Sequence, residues 1–93
     1  MIDADAAREI VREALRDAED RGGVRCVLVG ETLDYGEWWV QGYQSEAFAV
    51  QGDVFQALAG NGPYVIPKNG DAVFTLSSTE PVDAQMARLA AAD

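Results

Sequence analysis

The sequence predicts an α+β domain: an antiparallel sheet of about four strands with N- and C-terminal helices packed on one face. Three observations predict it. Both ends of the chain carry helix signals, and the middle carries two pairs of β-rich runs. The connections between runs are short, which suits antiparallel rather than parallel pairing. With 93 residues, the chain has room for one domain over 1–93 and no second core.

The first element is a helix over Asp3 to Arg21. Ala7, Ile10, Val11, Ala14, Leu15 and Ala18 recur at i, i+3, i+4, i+7. Asp3 or Asp5 caps the start, and Gly22-Gly23 ends it. Its polar face is laced with opposite charges: Glu9 with Arg12, Glu13 with Arg16, Asp17 with Arg21. Val24 to Thr32, "VRCVLVGET", is β-branched and reads as a strand, with Cys26 a small buried hydrophobe inside it. "LDYG" is the turn after it, and Glu37 to Gln44 is the second strand. "SEAFAVQGD" is open between a short strand and an irregular connection. Asp53 has the chemistry of an N-cap for a short helix, "VFQALA", stopped by Gly60. Tyr64 to Lys68 and Ala72 to Ser77 are the last two strands, joined by Asn69-Gly70 in a tight turn. Thr79-Glu80-Pro81 opens the final helix, which runs to about Ala91.

The corner Gly60, Asn61, Gly62 and Pro63 invites a test for chemistry. It is no dinucleotide or phosphate loop, because a helix ends and a strand begins there, whereas those loops follow a strand and open a helix. Turn chemistry accounts for it: glycines for unusual φ, and a proline that drives its predecessor out of the helical region. The chain holds no His and one Cys in an apolar run, so the usual nucleophilic triads lack their base, and no catalytic or metal-ligating set is expected. No cofactor motif is present. The acids Asp34 and Glu37 flank a turn and serve best to solvate it.

Sixteen acids against seven bases leave a formal charge of −9. Such a field repels nucleic acid and anionic membranes and attracts a basic protein surface. No apolar run reaches the ~20 residues of a membrane span, and the charged start is unlike a secretory signal, so a cytoplasmic protein is expected. Trp38-Trp39 points one indole to each side of a strand. With helices on one face only, one Trp is core and the other lies on the open face, where Trp makes a binding hot spot.

"LAGNGPYVIPKNGDAVF" followed by "SSTEPVDAQM" resembles the C-terminal half of the YrhB-type immunity domain, the immunity protein 35 family. The family carries a Gly-Asn-x-Pro corner, an apolar strand, a Gly-containing hairpin, a second strand and a Thr-x-Pro helix start. A Gly- and Trp-rich strand precedes them, and here "YGEWWVQGY" holds that place, with Trp39 in the position of the family Trp. The resemblance implies a bacterial polymorphic toxin system and a role in neutralising a cognate toxin domain by stoichiometric binding. A relative regarded as a small heat-stable chaperone supplies the alternative, a chaperone or dimerising adaptor without catalytic activity. If the family Trp is a core residue, Trp38 lies on the open face. The expected partner surface is then Trp38 and Val40 with Asp34, Tyr35 and Glu37 at the rim, facing a basic toxin surface or a second copy of the chain.

Overall fold

The computed structural model describes residues 1–53 and 62–92. In chain order the elements are α1 (Ala4–Asp20), β1 (Cys26–Asp34), β2 (Trp38–Ser45), α2 (Glu46–Gln51), β3 (Tyr64–Pro67), β4 (Phe74–Thr75) and α3 (Val82–Ala92). The four strands form one antiparallel sheet in the order β1-β2-β3-β4. The α+β class and the four-stranded sheet agree with the sequence expectation.

Helix α1 forms where the apolar periodicity places it. The Asp3 carboxylate accepts a hydrogen bond from the Ala6 amide at 2.8 Å, and Gly22, at φ 96°, turns the chain out of the helix. The Gly22 and Gly23 amides then bond the Glu19 and Ala18 carbonyls, which satisfies the last orphan acceptors. Ala7, Val11 and Leu15 are buried on the sheet together with Ile66, flanked by Leu28, Trp39, Tyr43 and Tyr64. The Glu9–Arg12 and Asp17–Arg21 pairs form on the outer face.

The expectation that both terminal helices share one face is corrected by the packing. Met86 of α3 is buried against Val40 and Val65, with Trp38, Tyr35, Leu76, Val82 and Leu89 around them. Val40 pairs with Val65, and Trp39 with Ile66, so consecutive residues of β2 serve opposite layers. Helix α1 therefore covers the Trp39 face and α3 the Trp38 face. The physical reason is that β2 and β3 are apolar on both sides. A one-sided arrangement would leave Trp38, Val40 and Val65 in water. The last helix supplies the matching stripe, Val82, Met86 and Leu89 at i, i+4, i+7.

Between Val29 and Leu33 the β1–β2 register breaks. Gly30 sits at φ 73°, and residues 30 to 32 bulge opposite Gln41. A bulge strands backbone carbonyls, and the fully buried Gln41 side chain supplies donors to them. Its Nε2 donates to the Val29 carbonyl at 3.1 Å and the Gly42 carbonyl at 3.0 Å, while Thr32 Oγ1 donates to Gln41 Oε1 at 2.6 Å.

Three further local expectations change. "SEAFAVQ" is helical in α2: Ser45 Oγ caps the Phe48 amide at 3.2 Å, and Gly52 at φ 72° ends it. The hairpin turn runs over Pro67–Gly70, closed by the Gly70 amide on the Pro67 carbonyl at 3.2 Å, with Lys68 and Asn69 in the centre. Asn69 keeps a negative φ because its Oδ1 accepts the Asp71 amide at 2.9 Å. Gly70 alone takes φ 91°, so the connection is wider than a two-residue Asn69-Gly70 turn. Cys26 is half-buried rather than buried, beside Arg12, Leu15 and Glu19. The expected "VFQALA" helix, Gly60 and Asn61 lie outside the described residues.

Candidate functional site

At one end of the sheet the β1–β2 turn, the start of β2, the Pro67–Gly70 turn and the tail of α3 converge. The turn is built by Asp34 and Gly36. Gly36 sits at φ 81°, its amide donates to Asp34 Oδ1 at 2.9 Å, and the Tyr35 amide donates to the Trp38 carbonyl at 2.9 Å. Asp34 Oδ1 also accepts from Lys68 Nζ at 2.7 Å. That bond, followed by the Gly36 amide, holds the Asp34 carboxyl below its ordinary pKa. The Lys68 ammonium lies 4.2 Å from the centre of the Trp39 ring, so indole and carboxylate share one cation on the α1 face.

The chain start is drawn into the same knot. The Ile2 amide donates to the Lys68 carbonyl, and Trp39 Nε1 donates to the Ile2 carbonyl, both at 2.9 Å. Across the sheet, Tyr35 Oη donates to Asp83 Oδ1 at 2.5 Å, which ties the turn to the first turn of α3. The carboxylate that receives this proton raises the Tyr35 pKa above its ordinary value.

Where α3 ends, the Trp38 face is left concave. A groove of about 440 Å³ opens there, lined by Trp38, Pro67, Phe74 and Leu89 together with Glu37, Lys68 and Asp71.

Of the residues singled out in the sequence, Asp34, Tyr35, Glu37 and Trp38 meet at this end, and Asn69 faces them across the groove. Val40 does not join them. It is 2% exposed beneath Met86, because α3 occupies the face expected to be open, so its role is packing. Trp38 is half-buried for the same reason. Gly62 and Pro63 lie at the opposite end of β3, where the Leu76 amide bonds the Pro63 carbonyl at 2.9 Å. Pro67, Phe74, Asp71 and Leu89 were not singled out in the sequence. The signal was present in the apolar stripe of the last helix, which needs a sheet face of its own.

Among the described residues no cluster of three or more His, Cys, Asp or Glu is placed to hold a metal, and no helix is long and apolar enough to cross a membrane.

No curated protein and no solved structure matches the chain. A family model does: that of immunity protein 35, over residues 5–88. The match runs from the first turn of α1 through most of α3 and so spans every strand and both helical layers. The chain belongs to the immunity protein 35 family.

Proposed function

We propose that this protein neutralises a cognate bacterial toxin domain by stoichiometric binding in the cytoplasm, acting by occupancy and not by chemistry. Family membership over residues 5–88 is the observation that carries the reading. The formal charge of −9 supports a basic toxin surface as the partner, since opposite fields speed encounter and fix register. The grooved end of the sheet supports a location for the contact, with Asp34, Tyr35, Glu37 and Trp38 as its residues. Tyr35 and Trp38 are preorganised there by the Asp83 hydrogen bond and by packing on α3, which lowers the ordering cost of binding.

The test is to express the chain with the toxin encoded beside its gene. Growth should be rescued, and calorimetric titration of the purified pair should show one chain per toxin domain. Rescue without a complex, or turnover of the toxin's substrate or product by this chain, would overthrow the proposal.

A further inference from the structure

The groove beyond the end of α3 has a more specific chemistry than a basic patch would need. Its lining includes an indole, a phenyl ring and a proline, contributed by Trp38, Phe74 and Pro67, together with Leu89. Phe74 is left partly in water at the sheet edge. Carboxylates line the groove at Glu37 and Asp71, Asp71 Oδ2 accepting one hydrogen bond from Asn69 Nδ2 at 3.1 Å, and Asp34 lies in the adjoining turn. Lys68 also lines the groove, but it is only 14% exposed, and its ammonium is bonded to Asp34 and held over the Trp39 ring. Met1 lines the groove too. Aromatic and acidic side chains lining one groove suit a planar cation. Guanidinium stacks on an indole and pairs with a carboxylate in a two-pronged way, whereas an ammonium is a compact, strongly hydrated point charge. The chain itself shows that a cation can sit between a Trp ring and an Asp in this fold, in the Lys68 arrangement.

We infer that this groove seats an arginine side chain of the protein partner, its guanidinium stacked on Trp38 and paired with the carboxylates of Asp71 and Glu37. The inference rests on the reading that the chain neutralises a toxin by binding it, and deepens that reading to a recognition chemistry. Phe74, Pro67 and Leu89 then receive the aliphatic stem of the arginine or an apolar neighbour.

The test uses the intact chain labelled with nitrogen-15. The blocked peptide acetyl-Leu-Arg-Gly-Arg-amide is titrated beside two analogues, one with citrulline and one with lysine at both arginine positions. The two indole N–H signals are told apart with Trp38→Phe. The Trp38 and Asp71 signals should shift and saturate with the arginine peptide, about tenfold more tightly than with either analogue. Equal response to all three peptides, or movement of Trp39 alone, overturns the inference. A Trp38 signal that moves with protein concentration and ignores every peptide makes a second copy of the chain the occupant, and overturns it as well. The second arm uses the neighbouring toxin. The double variant Glu37→Lys, Asp71→Lys, with native melting, should bind it at least tenfold more weakly. Undiminished binding by that variant refutes the groove while the immunity reading stands. A toxin that the native chain never binds refutes the immunity reading, and the peptide arm still decides the groove. Should the double variant fail to fold, Asp71→Asn, on the exposed turn, takes its place with the same expected direction.

Discussion

Gly62→Ala is the sharpest test of the fold. Gly62 is buried, and a Cβ there would lie 1.8 Å from the Leu76 carbonyl oxygen and 2.4 Å from its carbon, both backbone atoms. Real Cβ contacts do not fall under 3.0 Å, so the two segments must part by more than an ångström. That separation breaks the Leu76–Pro63 hydrogen bond, a loss of about 1 kcal/mol. Overpacking adds about 1–3 kcal/mol. The ladder to β4 has only the pairs Tyr64–Thr75 and Val65–Phe74 with which to resist. A total near 3 kcal/mol is expected, and in a domain of this size each kcal/mol lowers the melting temperature by roughly 4–8 °C. Thermal unfolding followed by circular dichroism should show a fall of roughly 12–24 °C. A variant melting within a few degrees of the native chain would refute the close approach of Gly62 to Leu76. The same measurement addresses the Gly60–Pro63 corner: a large fall in melting makes its second glycine a packing requirement before anything else.

Asp34 has its carboxyl pKa lowered by Lys68 and the Gly36 amide. Its stabilisation is present above the unfolded carboxylate value, ~3.9, and is lost as pH falls through the lower folded value. Asp34→Asn should therefore flatten the acid limb of the melting-temperature profile, and an unchanged limb would remove Lys68–Asp34 from the account. Burial pushes the Cys26 thiol up, with Glu19 adding to the effect, so a disulfide reagent should react more slowly than in denaturant, and the folded thiol should titrate at higher pH than the unfolded one. Trp38→Ala should destabilise by roughly 2 kcal/mol, about half the cost of a fully buried Trp, because Trp38 carries α3; unchanged melting would mean that α3 leaves that face bare.

Much of this was legible in the sequence because local rules sufficed. The α1 periodicity, its Asp3 cap and the Gly22-Gly23 stop agree with the structure to within a residue. Antiparallel pairing followed from short connections. What the sequence concealed lies in pairing across distance. Nothing within "VGETL" says that residues 30 to 32 must bulge, since the bulge is completed by Gln41 from the facing strand. The helix in "SEAFAVQ" was hidden by its shortness: one turn and a half has little periodicity, although Ser45 and Gly52 are its cap residues. At the candidate site, the sequence singled out the turn residues Asp34, Tyr35, Glu37 and Trp38, of which Glu37 and Trp38 line the groove. It could not supply their neighbours across the groove, Asp71 and Phe74, which are more than thirty residues away.

The paired tryptophans show how the site depends on the fold. Trp39 is fixed on one face by the Ile2 carbonyl, Lys68 and the α1 layer. The backbone of β2 then obliges Trp38 to point the other way, into the α3 layer. Because α3 is short and meets the sheet chiefly through Val82, Met86 and Leu89, it leaves part of that face uncovered. On the β1 side of the same face Val29 and Leu33 stay 38% and 45% exposed. On the β4 side the uncovered area becomes the groove, where Trp38 is held by packing on one flank and open on the other. A rigid, half-buried indole is well suited to binding, because its conformational cost is met in folding and its remaining surface is ready to be desolvated by a partner. The part of the second face that α3 is too short to cover is therefore the surface on which the proposed recognition rests.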